Sequence, residues 1–167
     1  LKVCKAFDPN IVTVIGGPHV TFALEETLLQ APWIDLIAIG EGERTIVELV
    51  RAMEEGKDVR QVLGIAFVDR GVVVKAAPQP PIENLDQLPL PARELLPMAR
   101  YHALDTPCTV ITSRGCPYGC IFCSGRRMFG RRVRFRNPGL VVDEIEKIQH
   151  DFRFSQINIV DDTFTVN

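Results

Sequence analysis

Thr109-Val110-Ile111-Thr112-Ser113-Arg114-Gly115-Cys116-Pro117-Tyr118-Gly119-Cys120-Ile121-Phe122-Cys123 runs a short β-branched stretch directly into three closely spaced cysteines. Thr109 to Thr112 has the composition of a buried strand, so the cysteines are expected on the loop that leaves its C-terminal end. Thiolates are the usual protein ligands of iron–sulfur clusters, and cysteines this close on one loop can reach several corners of one cubane. Gly115 and Gly119 allow the backbone to curl, and Pro117 stiffens the curl. Only three local thiolates are offered, so one iron of a 4Fe–4S cluster would stay open to a small ligand. A structural zinc site generally draws on two pairs of ligands, and no second cysteine or histidine pair is nearby. A redox dithiol needs two cysteines rather than three. Cys116, Cys120 and Cys123 are therefore read as metal ligands. Cys4 and Cys108 lie in apolar surroundings and are expected to be small buried residues.

Downstream of the loop, Pro138 to Phe152 places Leu140, Val141, Ile145 and Ile148 at helical spacing, with Pro138 suited to the first turn. Gln156 to Val160 reads as the next strand and ends at Asp161-Asp162, so residues 105–167 form one strand–loop–helix–strand unit, a βαβ unit. Upstream, Ala77 to Tyr101 holds Pro78, Pro80, Pro81, Pro89, Pro91 and Pro97 and is read as a linker, bounded at 77–104. Before it, Ile11–Ile15 and Ile34–Ile39 read as buried strands. Helices follow at Thr21–Gln30 and at Thr45–Met53, the second with Ile46, Leu49, Val50 and Met53 on one face. Asp69-Arg70-Gly71 marks a hairpin. Residues 1–76 are expected to be part of a doubly wound, Rossmann-like α/β domain ending in that hairpin.

The 167 residues are 46% hydrophobic and 24% charged, with a formal net charge of −2. That balance gives no general attraction to nucleic acid or anionic membrane. No apolar run approaches the roughly 18 residues of a membrane span. An odd cysteine count without a secretory signal argues against a disulfide framework and for a reducing cytoplasm. The chain opens on Leu1 and stops at Asn167 after an apolar run, and is read as a piece of a longer protein, inactive in isolation.

The Cys-x3-Cys-x2-Cys spacing, the aromatic Phe122 directly before the last cysteine, and the strand entering the loop resemble the radical S-adenosylmethionine superfamily. The resemblance implies a full or partial βα barrel in which Cys116, Cys120 and Cys123 hold a 4Fe–4S cluster. The amino and carboxylate groups of S-adenosylmethionine would bind the fourth iron. One electron then cleaves the sulfonium and yields a 5′-deoxyadenosyl radical. Phe122 would lie near the adenine, although a core position suits it as well. Where many members have a glycine-rich turn, this chain has Asp161-Asp162-Thr163-Phe164. The change resembles the subgroup with a cobalamin domain and also the methylthiotransferases, and it puts Asp161 and Asp162 forward as acceptors for the cofactor amino group. A strand-end Asp pair also suits the cap of a following helix.

Gly16-Gly17-Pro18-His19 and Gly40-Glu41-Gly42-Glu43 resemble the turns of the cobalamin-binding domain that precedes many such cores. Gly16, Gly17 and Gly42 are the cobalamin candidates, since they let backbone approach a bulky ligand at a sheet edge. His19 is not expected to ligate cobalt. The implied activity is cobalamin-dependent C-methylation or ring rearrangement of a small-molecule substrate, fed by an external one-electron reductant of flavodoxin or ferredoxin type. Six arginines between Arg126 and Arg136 favour one rival, a methylthiotransferase acting on tRNA. Nucleic acid is nonetheless not the expected partner. A non-catalytic iron–sulfur or zinc module is the other rival.

Overall fold

Residues 1–166 are described by the computed structural model, and the chain divides into two units, Leu1–Pro81 and Ile82–Asn167. The first comprises α1 (Lys2–Phe7), β1 (Val14–Ile15), α2 (Pro18–Phe22), α3 (Leu24–Gln30), β2 (Leu36–Ala38), α4 (Gly42–Glu54), β3 (Ile65–Asp69) and β4 (Val72–Lys75). Strands β1 and β2 pair in parallel with Val14 opposite Leu36 and Ile15 opposite Ile37. The expected hairpin does not stand apart from this pair. It joins the same sheet, with β3 antiparallel to β2, to give the order β1-β2-β3-β4. Its turn holds Arg70 at φ 49° and Gly71 at φ 80°, the doubly left-handed geometry that matches strand twist.

Side chains alternate across a strand, so neighbours in β2 serve opposite layers. Ile37 packs with Val20, Leu24, Leu28, Ile34 and Ala66 beneath α2 and α3. Leu36 packs with Leu49, Ala52, Val62, Ile65 and Phe67 beneath α4. The sheet is thus covered on both faces, as a doubly wound fold requires. Helix α4 is rotated from the expected register. Thr45, Leu49 and Ala52 face inward, while Ile46, Val50 and Met53 are exposed. The Thr45 hydroxyl donates to Leu63 O at 3.3 Å, and at Gly64 an added Cβ would stand 2.8 Å from Thr45 Oγ1. A small polar residue thus fits the close approach of helix and strand, where the periodicity had pointed to larger apolar ones. The expected helix over Thr21–Gln30 is broken at Ala23 into α2 and α3. Cys4, expected to be buried, is exposed on α1, whereas Cys108 is buried.

The second unit begins within the proline-rich stretch, which forms two short 3-10 turns at Leu85–Gln87 and Arg93–Leu95. There follow α5 (Met98–Ala103), β5 (Cys108–Val110), β6 (Ser113–Arg114), α6 (Gly125–Phe129), β7 (Arg134–Phe135), α7 (Pro138–Phe152) and β8 (Ile157–Ile159). The bounds of α7 are those read from the sequence. Asn137 caps it by accepting from Gly139 N at 2.8 Å, with Pro138 in its first turn. Strands β5 and β8 pair in parallel, and Cys108, Val110, Val141, Ile148 and Phe154 form the core beneath α7.

The proline-rich stretch is fastened to this unit by charge and backbone. Ile82 O accepts from Arg134 at 2.7 Å, Glu83 pairs with Arg132 at 2.6 Å, and Asp86 accepts from Asn137 N at 2.9 Å. Deeper in, Arg93 donates to Glu144 at 2.6 Å and to Thr109 O at 2.9 Å. Arg136 meets the other oxygen of Glu144 at 2.5 Å and donates to Ile111 O at 2.9 Å. Val110 O is taken by Val160 N on the β8 side. Carbonyls alternate along a strand, so Arg93 and Arg136 occupy acceptors on the opposite edge of the β5 segment.

Candidate cofactor sites

The cysteine loop is closed at its base. Strands β6 and β7 pair antiparallel, Ser113 opposite Phe135 and Arg114 opposite Arg134, so the chain between them leaves and returns at one point. Gly115 follows at φ +101°, and a Cβ there would lie 2.4 Å from Arg132 O. Only glycine satisfies both the dihedral and the contact. Cys116 N donates to Gly130 O at 3.3 Å, adding a rung inside the ladder. Beyond it Cys123 N donates to Cys120 O at 3.3 Å in a single turn, and Gly125 N donates to Cys123 Sγ at 3.4 Å.

Cys116 is half-buried and Cys120 and Cys123 are exposed, all three as free thiols. Among the described residues no three metal-ligating side chains converge. The donor set nevertheless fits a thiolate-bound cluster, since three soft ligands share one loop whose ends are pinned. Phe122 stands on that tip, 89% exposed, beside the fully exposed Ile121, and so is not a core residue of this chain.

The turn after β8 runs along the cysteine loop. Asp161 accepts from Thr112 N at 2.7 Å, from the Thr112 hydroxyl, and from the Ser113 hydroxyl at 2.8 Å. Both its oxygens are engaged, and the carboxylate clamps the end of β8 to the segment entering the loop. Asp162 extends alongside Gly125, where a Cβ would stand 2.9 Å from Asp162 Oδ1. Cys116 Sγ lies 3.2 Å from Thr163 Oγ1. The sequence singled out the two aspartates but not Thr112, Ser113 or Thr163, because a hydroxyl beside a motif has no signature of its own.

In the first unit, the parallel pairing of β1 and β2 brings the two glycine turns to one edge of the sheet. Gly17 has φ +106° and Gly40 φ +74°, so conformation alone calls for glycine at both. Around Gly17, Gly40 and Gly42 an added Cβ would meet nothing within 4 Å, and at Gly16 it would make ordinary contacts with Ala38 from 3.5 Å. Gly16 and Gly42 are therefore required neither by dihedral nor by packing within this chain, which fits an edge kept open for a ligand. Thr21 joins the turns: its hydroxyl donates to Gly17 O at 2.9 Å and accepts from Gly40 N at 3.3 Å. His19 lies exposed on α2.

No protein-family model matches the chain. Among curated proteins it is 41% identical to an uncharacterized methyltransferase of Pyrococcus horikoshii, over 99% of this chain and 36% of the relative. It is 42% identical to the anaerobic magnesium-protoporphyrin IX monomethyl ester cyclase of Rubrivivax gelatinosus, over 92% of this chain and 29% of that protein. The chain thus spans about a third of the curated relatives it matches. Among solved structures, the cobalamin-dependent S-adenosylmethionine radical enzyme OxsB, with aqua-cobalamin and S-adenosylmethionine bound, superposes with TM-score 0.81 at 24% identity, over 98% of this chain and 23% of that one. The radical S-adenosylmethionine methyltransferase TsrM from Kitasatospora setae, with cobalamin and a 4Fe–4S cluster bound, gives TM-score 0.76 at 22% identity, over 93% of this chain and 31% of that one. One continuous alignment carries both the glycine-edged sheet and the cysteine loop onto these two solved proteins, so the chain shares their fold over nearly its whole length.

Proposed function

We propose that this chain carries the cofactor-binding elements of an enzyme that uses a 4Fe–4S cluster, S-adenosylmethionine and cobalamin to methylate carbon or rearrange a ring in a small molecule. The observation that carries the reading is the cysteine loop itself: three free thiols on one exposed loop whose ends are tied by the β6–β7 ladder. Cys116, Cys120 and Cys123 would hold the cluster, which with S-adenosylmethionine supplies a carbon-centred radical on receipt of one electron. Phe122 offers an exposed aromatic face for adenine. Asp162 offers a carboxylate for the amino group, with Asp161 held back as the clamp that fixes the entrance to the loop. Gly16, Gly17 and Gly42 leave room for cobalamin at the β1–β2 edge. An external one-electron reductant of flavodoxin or ferredoxin type supplies the electron. Among the described residues no helix is long and apolar enough to cross a membrane, in keeping with a small-molecule enzyme working in the cytoplasm.

Anaerobic reconstitution of the full-length protein tests this. We expect about four irons per chain and reductive cleavage of S-adenosylmethionine. Replacing Cys116, Cys120 and Cys123 together with serine should abolish both. Bound zinc without cleavage would overturn the reading.

A further inference from the structure

Among the described residues, Cys116 is distinguished from the other two loop cysteines by a side-chain partner from a different element. Its Sγ lies 3.2 Å from Thr163 Oγ1, on the turn that follows β8. The contact is built from both sides. Asp161, two residues earlier, holds that turn to Thr112 and Ser113 through its carboxylate. On the loop side, Cys116 is fixed by its own N–H to Gly130 O and by the Gly115 dihedral. Thr163 is half-buried and β-branched, with restricted χ1, so the hydroxyl is not a freely swinging group. In the thiol form either partner could donate. A metal-bound thiolate has no proton, so beside such a ligand the hydroxyl must be the donor.

We infer that the Thr163 hydroxyl donates a hydrogen bond to the Cys116 thiolate and raises the reduction potential of the cluster it ligates. The inference rests on the proposed role of Cys116 as a cluster ligand. A donor aimed at a ligating sulfur withdraws negative charge from the metal centre and favours the reduced cluster, which carries one more electron. Among the described residues the other donor to a cysteine sulfur in this loop is the backbone N–H of Gly125, toward Cys123, which no side-chain replacement removes. Thr163 is therefore the adjustable position. It is a positioning and tuning residue, not a catalytic one.

The test is an EPR-monitored redox titration of the reconstituted full-length protein, compared with Thr163→Val and Thr163→Ser. Valine keeps the branched shape and removes the donor, whereas serine keeps the donor. We expect wild-type iron content in both variants, a lower midpoint potential in Thr163→Val, and recovery toward the wild-type potential in Thr163→Ser. An unchanged potential in Thr163→Val with the cluster intact overturns the tuning role and leaves the cluster reading standing. So does a Thr163→Val protein that loses its irons, because the hydroxyl would then be holding the loop together rather than setting a potential. A wild-type protein that assembles no cluster fails the functional reading and this inference together.

Discussion

At the scale of single residues, the site is governed by a few positions where an atom more or less is decisive. Gly115 combines a left-handed φ with a Cβ position 2.4 Å from a backbone carbonyl, and neither can relax without opening the β6–β7 ladder. Gly115→Ala should cost about 2–3 kcal/mol of stability from strain and collision, read as a lower denaturation midpoint. It should also reduce iron uptake on reconstitution. The three cysteines and Gly115 were legible in the sequence because their chemistry and conformation are intrinsic to the residue type. Thr112, Ser113 and Thr163 were not, since what they do depends on which acceptor folding brings within reach. Asp161 was legible as a strand-end acid, but its engagement with three donors follows from the pairing of β5 with β8.

At the scale of elements, the arginine-rich stretch and the proline-rich stretch explain one another. Arg132, Arg134 and Arg136 meet Glu83, Ile82 O and Glu144 within the second unit. Half of the cluster that suggested RNA is thus engaged in fixing residues 82–93 and the edge of β5. Glu144 is the centre, with a side chain 2% exposed between Arg93 and Arg136. Its place on the α7 face shared by Val141 and Ile148 was a usable signal, because an acid at a buried helical position calls for a buried cation. Glu144→Ala should be strongly destabilising, by about 3–5 kcal/mol, because it leaves two enclosed guanidinium groups uncompensated. Replacing Arg93, Glu144 and Arg136 together with apolar residues should cost less than that single change. Urea denaturation of the three-residue variant beside Glu144→Ala decides this, and an equal or larger loss in the triple variant would contradict it.

At the scale of the whole molecule, stability should fall on acidification through a small number of carboxylates. Partial burial alone would raise the Asp35 pKa. Lys5, at 2.7 Å, and the Thr13 N–H and hydroxyl, at 2.7 and 2.9 Å, outweigh it and hold the group below the ordinary carboxylate range. A depressed native pKa means the unfolded chain binds the proton more readily. This contribution is therefore complete above the ordinary carboxylate range and is lost as pH falls toward the lowered native value. Asp35→Asn should flatten that part of the acid limb in thermal melts followed against pH, with little change in slope near neutrality. Glu55, Asp58 and Asp151 are lowered too, but by neighbouring surface cations that solvent and salt screen.

The cysteine loop, the two glycine turns, the hairpin and the bounds of α7 are legible in the residues alone, because spacing, φ preference and helical periodicity are local properties. The α/β pattern on either side of the proline-rich stretch is legible for the same reason. Long-range contacts set the rest: the hairpin completes the β1–β2 sheet, α4 turns Thr45 inward, and buried charge holds the proline-rich stretch to the unit bearing the cysteines. They also close the loop defined by Cys116, Cys120 and Cys123 with a two-residue ladder and set Thr163 against it. Each of these joins residues far apart in the chain. Their geometry is set by which donors find which acceptors once the strands pair, and local sequence does not record that.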